Sequence, residues 1–496
     1  MNDYYERVII SGRLICRTPL SIGAGAMPVP EPTAGTEEPA NRLAVCKGLG
    51  GVPYLPGSSL RGLLRALLLE DGATGLHRRV FGAARGSDRD SQARLLRVYD
   101  AFLAGDSRVG KKPDERMRNA IDPVTGATRD HALYSLEQIP AGAEFDCRFE
   151  LERCDRATVA TVLGLLDRLD GKRPESRLGR GANKSEGRVE WRADTDAIKV
   201  LTPARLAEWL RDDGTELDSA FETVAIAAIT PTLKPRRNEL QIPLRIRPLS
   251  PLLVDPVEPT PEQGRAMGGE NGHLARVEKR AGESVLVVPA ASLRGVLRSH
   301  CRKILMTLLV ANASELSPYP QCQSRADALI GRLFGHEGRA SAVILEDATA
   351  PYAHGCAHEH EQHFNAVDRF TGGVAYGALF WAKAAVSTTK APLDLITTLR
   401  IDLDRLAWSP PETSDANPDW WRGLLLLAQR DAMDGDLILG RGKARGYGVV
   451  AVQPKVNKAF VESWEDLLKL AGTAEVPSLD TAETWLAALH DALGTP

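Results

Sequence analysis

Apolar and polar positions alternate in part through Val8-Ile9-Ile10-Ser11-Gly12-Arg13-Leu14-Ile15-Cys16. The β-branched residues and the period of two predict a strand. A Gly/Pro-rich segment from Gly23 to Gly51 follows and predicts a long loop. Then Leu60, Leu63, Leu64, Leu67 and Leu68 recur at helical spacing, with Ser58 or Ser59 placed to cap the helix. The same succession returns later. Ile242 to Val254 reads as a strand, and Ser292 can cap a helix carrying Leu293, Val296, Leu297, Ile304 and Leu308. Short strands, Arg188 to Trp191 and Val449 to Val452, each follow directly on a glycine-rich loop.

The recurrence extends to residue identities. Leu178-Gly179-Arg180-Gly181 leads into Gly187 and Val189, and Leu439-Gly440-Arg441-Gly442 leads at the same spacing into Gly448 and Val450. Pro56-Gly57-Ser58-Ser59-Leu60-Arg61-Gly62 matches Pro289-Ala290-Ala291-Ser292-Leu293-Arg294-Gly295. Arg79-Val80-Phe81-Gly82 matches Arg332-Leu333-Phe334-Gly335, and Asp100-Ala101 matches Asp347-Ala348. Asn119-Ala120-Ile121-Asp122 with Thr125-Gly126 matches Asn365-Ala366-Val367-Asp368 with Thr371-Gly372. One such match arises by chance; a series in one order implies a tandem duplication. The domains expected are residues 1–200 and 241–455, joined by a linker at 201–240 that contains Thr230-Pro231-Thr232-Leu233-Lys234-Pro235-Arg236-Arg237. Residues 456–496 form a helical C-terminal extension, with Phe460, Trp464, Leu467 and Leu468 as its packing stripe. Strand, helix, strands, helix and final strand in each repeat predict an α+β fold.

Composition narrows the class. A chain of 496 residues is too long for one core. Hydrophobic content of 43% and charged content of 26% are ordinary for a globular protein. No stretch approaches the roughly 20 apolar residues of a membrane span. The polar start, Met1 to Arg7, has no signal-peptide pattern, and seven scattered cysteines fit a reducing compartment. A cytoplasmic location is the expectation. The net charge of -3 disfavours a broadly basic nucleic-acid binder but leaves room for local arrays. One such array runs from Arg78 and Arg79 through Arg85, Arg89, Arg94, Arg97, Arg108, Lys111, Lys112 and Arg116 to Arg118.

Candidate binding chemistry concentrates in the repeated motifs. Glycines let a backbone approach phosphates, and cations interleave them here: Arg180, Lys184 and Arg188 in one loop, Arg441, Lys443 and Arg445 in the other. Neither loop ends in Gly-Lys-Ser/Thr, so neither is a nucleotide P-loop. Arg61 with Arg65, and Arg294 with Arg298, stand one turn apart near helix N-termini that favour anions. Ser58, Ser59 and Ser292 are placed to donate to phosphate oxygens or to cap. The run His354-Gly355-Cys356-Ala357-His358-Glu359-His360-Glu361-Gln362-His363 is rich in zinc-ligand types, and Cys322, Cys301 and His300 are further candidates. Its spacing matches no finger pattern, so a polar loop is the preferred reading over zinc.

Taken together, the Pro-Gly-Ser-Ser helix start, the Asp-Ala pair, the Ile-Asp-x-x-Thr-Gly segment and the terminal glycine-rich loop resemble the RAMP superfamily. More narrowly they resemble the backbone subunits of type III CRISPR effector complexes, of Csm and Cmr kind. Asn365-Ala366-Val367-Asp368-Arg369-Phe370-Thr371-Gly372-Gly373 followed by Ala378-Leu379-Phe380 is similar to the family pattern, as are Ala132-Leu133-Tyr134 and Pro140 to Phe145. Two such repeats in one chain look like the fused double backbone subunits of type III-D systems. The resemblance implies two tandem ferredoxin-like (RRM-like) βαββαβ domains with long loop insertions and thumb hairpins, placed at Ile121–Tyr134 and Val367–Phe380. It implies CRISPR RNA, guide-paired target RNA and other type III effector subunits as partners.

The resemblance also raises catalysis. Cleaving relatives use an aspartate upstream of the Pro-Gly-Ser-Ser motif, acting with a divalent metal ion, Mg or Mn, on the RNA 2′-hydroxyl. The corresponding windows hold Glu37, Glu38 and Asn41, and Glu270 and Asn271, with Asp255 farther upstream. Asparagine cannot serve as a base, so Asn41 and Asn271 at that slot favour binding without cutting; Glu38 and Glu270 are the catalytic candidates if the chain is a metal-dependent endoribonuclease. The rival is a chain that binds RNA without cutting. A third reading is a stand-alone endoribonuclease that processes precursor CRISPR RNA. Such enzymes act through a histidine near the first helix, where this chain has His77.

Overall fold

The computed structural model describes residues 4–27, 42–70, 74–82, 94–118, 121–122, 134–171, 176–181, 184, 186–211, 220–225, 238–254, 272–280, 283–312, 319–374, 380–407, 418–473 and 475–493. The chain divides into two compact units, Met1–Arg236 and Arg237–Pro496. Each is a mixed α/β body with its own apolar core.

In the first unit the central antiparallel sheet runs Glu222–Val224, Val189–Leu201, Tyr4–Cys16, Glu144–Asp155, Ala101–Leu103, Tyr54–Leu55. In the second it runs Val277–Arg280, Glu283–Val288, Ala348–Pro351, Leu395–Asp402, Glu239–Pro248, Val449–Val456, Leu437–Ile438. If the four principal strands of each unit are taken in chain order, their spatial order is fourth, first, third, second. A helix joins first to second and another joins third to fourth. The pattern of the opening strand explains its place: Val8, Ile10 and Leu14 are buried on the helix side, while Arg7 and Arg13 face outward. At Gly12 the register shifts, and a Cβ there would strike the Trp191 ring, which itself packs edge-on against Phe149.

The helix-start motif has a different cap from the one expected. Helices Gly57–Glu70 and Ala290–Asn312 begin with the backbone N–H of Gly57 and of Ala290 donating, at 2.7 Å each, to the carboxylates of Asp100 and Asp347. Ser58 is exposed, and Ser59 and Ser292 are half-buried; among the described residues no hydroxyl of the three forms a hydrogen bond. A charged acceptor outcompetes a neutral hydroxyl for a helix N–H, and the negative charge also meets the positive end of the helix. The matched Asp-Ala pair is therefore part of the same structural device as the serine motif. Replacing Asp100 or Asp347 by Ala should lower unfolding free energy by about 1–2 kcal/mol in chemical denaturation, whereas Ser58→Ala should leave it nearly unchanged.

The first unit's paired arginines both turn to the next helix, whereas those of the second unit separate. Arg61 donates to the carbonyl of Phe81, and Arg294 to that of Phe334, the last residues of helices Thr74–Phe81 and Tyr319–Phe334. Each arginine thus ties the first helix to the C-terminus of the next. The chain then leaves through Gly82 or Gly335, at φ 80° and 82°. Burial and the nearby charge of Arg298 lower the Arg294 pKa to about 10. Arg65 donates to Nε2 of the buried His77 at 2.8 Å, and Arg298 is exposed.

Two smaller sheets stand beside the central ones. In the first unit, Arg42–Val45 runs parallel to Tyr134–Gln138, which pairs antiparallel with Asp114–Arg118. In the second, Gly272–Leu274 runs parallel to Phe380–Ala385, which pairs antiparallel with Glu359–Phe364.

The segment expected as a linker is partly structured. Pro203–Arg205 and Leu206–Arg211 are helical, and Glu222–Val224 pairs with Val189–Leu201, so these residues belong to the first unit. The C-terminal extension is likewise built into the second unit. Leu489 and Leu493 join the core, and Gly423 gives helix Trp420–Met433 room beside the Trp485 carbonyl of helix Leu479–Leu493. Of the expected stripe, Trp464 and Leu467 pack on Met433, Val456 and Val461, whereas Leu468 is exposed and Phe460 lies under Arg245 and Lys455.

Candidate nucleic-acid interface

The two glycine-rich turns have one geometry. Leu178 donates its N–H to the Gly187 carbonyl and Leu439 to that of Gly448, both at 2.8 Å. The N–H of Arg180 reaches the Ser21 carbonyl (2.9 Å), and that of Arg441 reaches the Leu253 carbonyl (2.8 Å). Gly187 donates to Pro19 and Gly448 to Pro251, each at 2.8 Å. Glycine is required because φ is positive at Gly179, Gly181 and Gly187 (79°, 81°, 76°) and at Gly440, Gly442 and Gly448 (76°, 83°, 84°). At Gly187 and Gly448 a Cβ would also overlap the carbonyl oxygens of Leu178 and Leu439.

This alters the role expected for the glycines. They seat each turn against the segment after the first strand, and the N–H groups of Arg180, Gly187, Arg441 and Gly448 are engaged by that docking. A polyanion would therefore meet side chains more than backbone. Arg180, Arg441, Lys443 and Arg445 are exposed, and Lys184 and Arg188 are half-buried. The Arg180 guanidinium lies over Gly23, within 3.1 Å of where a Cβ would stand. Arg445 lies over the Phe364 ring at 5.1 Å, and Tyr447 donates to Gln362 at 2.7 Å, so the second turn also leans on strand Glu359–Phe364.

The outer face of the central sheet is a poor alternative surface. Arg13 contacts Asp106, Glu144 and Asp146. Glu150 receives Arg148 and Tyr99 and faces Arg7. Burial pushes the Glu150 carboxyl up, but these partners hold it below the usual range. In the second unit Arg245 and Arg247 engage Asp394 and Glu462, and Arg400 engages Glu239 and Glu346. Cations already neutralised by adjacent carboxylates add little attraction for phosphates.

The hairpin between Glu359–Phe364 and Phe380–Ala385 carries the Asn365-to-Gly373 segment at its tip. Asp368 accepts from the N–H groups of Phe370 and Thr371 at 2.8 and 2.9 Å, which hold its carboxyl below the usual range. Val367 bridges Val374, and Gly372 turns at φ 68°. Phe370 stands fully in solvent at 101% exposure. The corresponding tip of the first unit shows Ile121 exposed, and residues 123–133 lie outside the described residues.

Other candidates are dispersed. Glu38 and Glu270, with Glu37, Asn41, Asp255 and Asn271, lie outside the described residues. His77 is buried, and burial followed by the charges of Arg65 and Arg78 keeps its pKa low. In the histidine-rich run, His354 pairs with Glu359 and His358 meets the Val386 carbonyl. His300 pairs with Asp431, and Cys301 and Cys322 are core residues. Among the described residues no three of these types converge on one point, and no helix is long and apolar enough to cross a membrane. Sequence reading missed the docking role of Pro19, Ser21, Pro251 and Leu253. The signal was present in the matched segments Thr18-Pro19-Leu20 and Ser250-Pro251-Leu252.

In comparison with known proteins, residues 13–190 and 245–451 each match the family model described as the RAMP superfamily. No curated protein matches the chain.

Proposed function

This chain belongs to the RAMP superfamily, and from that premise we propose that each of its units is a cradle for an RNA backbone. The chain would serve as a double backbone subunit of a type III CRISPR RNA-guided complex, holding CRISPR RNA and, through it, target RNA. The observation that carries this reading is the duplicated turn: the same glycine docking, the same exposed arginine, at the same place in both units. A sequence-tolerant site needs cations held at fixed positions rather than base-specific contacts. The strand order supports the ferredoxin-like reading of each unit. The stiffened hairpin tip presenting Phe370 supports the thumb reading, since an exposed aromatic ring can stack on or displace a base.

The direct test is binding of the full chain to labelled single-stranded RNA across a salt series. Steep salt dependence is expected; no binding at low salt overturns the reading. Cleavage of target RNA is a further proposal, assigned to Glu38 and Glu270 with Mg or Mn. In the assembled complex, Glu38→Ala or Glu270→Ala should abolish cutting at the matching position. Unchanged cutting by both variants removes those residues from catalysis. The buried, arginine-bound state of His77 disfavours the stand-alone processing enzyme.

A further inference from the structure

The two units differ directly behind their glycine turns. In the second unit Leu252 and Ala385 exchange both backbone hydrogen bonds, which sets Leu253 opposite Ala384. These two residues, with Ala382, Tyr447 and Phe364, form a small apolar cluster. In the first unit Leu20 and Ile139 make the same exchange, so Ser21 faces Gln138 on one side of the ladder. The position of Tyr447 is taken by Glu186, whose N–H lies over Gly181 as that of Tyr447 lies over Gly442. Ser21 and Gln138 are fully buried. The Ser21 hydroxyl and both polar atoms of the Gln138 amide have no hydrogen-bond partner among the described residues.

Buried amides are almost always paired, and leaving one unpaired is costly. Here the cost falls at one of two duplicated positions, where the sister unit shows that an apolar plug fits the fold. We propose that the first unit holds a pocket for an unpaired RNA base, read on its hydrogen-bonding edge by Gln138 and Ser21, and that Leu253, Ala384 and Tyr447 close the same position in the second unit. The proposal rests on the RNA-cradle reading. The chemistry favours a base over a phosphate. An amide offers a donor and an acceptor side by side, as a base edge does. The Arg180 turn, docked on the Ser21 carbonyl, would hold the adjoining phosphate.

The test compares the full chain with the Ser21→Ala/Gln138→Met variant, which keeps volume and removes the polar groups. The probes are a short labelled single-stranded RNA and the same strand carrying abasic riboses. The variant should lose roughly tenfold in affinity for the base-bearing strand, bind the abasic strand as the parent does, and unfold at the same or a higher temperature. Equal affinities of parent and variant for the base-bearing strand overturn the pocket and leave the cradle standing. A parent chain that binds neither strand at low salt overturns the cradle and the pocket with it. Gln138→Met alone gives the same reading should the double variant fail to fold.

Discussion

Replacing Arg180 and Arg441 together by Ala should weaken binding of the full chain to single-stranded RNA by on the order of tenfold per arginine at moderate salt. The slope of log affinity against log salt should flatten by about 0.7 for each phosphate that is no longer neutralised. Both side chains are exposed on turns that are fixed at their bases by the same three backbone hydrogen bonds. Substitutions at exposed positions usually cost little stability, so the variant should keep its thermal unfolding profile. Fluorescence anisotropy across a salt series measures both quantities. Weakening without a change of slope would mean that the arginines hold the turn rather than the phosphate, and an unchanged affinity would move the interface away from the turns. Arg61→Ala and Arg294→Ala form the contrast. Those side chains satisfy helix-end carbonyls, so they should cost stability, about 1–3 kcal/mol each, with no direct effect on the salt slope.

That contrast shows what the sequence carries and where it stops. The duplication was legible because it lies in positions with strict backbone demands: glycines at positive φ, a proline before the helix, an arginine one step past the glycine. Helical spacing correctly put Arg61 and Arg65 on one face, but spacing cannot say whether a second helix covers that face. The structure covers it with Thr74–Phe81, whose last carbonyl accepts from Arg61. The cap was misread for a related reason. Serine is the local candidate, whereas the carboxylate that serves comes from Asp100 or Asp347, brought in by a neighbouring strand. The polar residues behind the first turn escaped notice because Ser21 and Gln138 are ordinary taken singly. They gain meaning only when the matched strand pairs set them beside Leu253 and Ala384.

Gly448→Ala should be among the most damaging single substitutions in the second unit, lowering its unfolding free energy by about 3 kcal/mol or more. Two costs combine there. A Cβ at φ 84° strains the backbone by about 1–2 kcal/mol. The same Cβ would overlap the Leu439 carbonyl oxygen, the residue whose N–H bonds back to Gly448. The turn can relieve that overlap only by breaking the hydrogen bond or leaving its dock on Pro251, and either movement shifts Arg441, Lys443 and Arg445 together. RNA affinity should then fall further than in Arg441→Ala, although no cation is removed. Gly446→Ala is the internal control. It also has positive φ, at 79°, but a Cβ there meets nothing within 4 Å. Strain alone should therefore cost it about 1–2 kcal/mol, with the turn still docked and the RNA salt slope unchanged. Thermal unfolding of both variants, read beside anisotropy, separates the two effects. Equal losses of stability in Gly446→Ala and Gly448→Ala would show that strain, rather than contact with the Leu439 carbonyl, sets the requirement for glycine at the end of the turn.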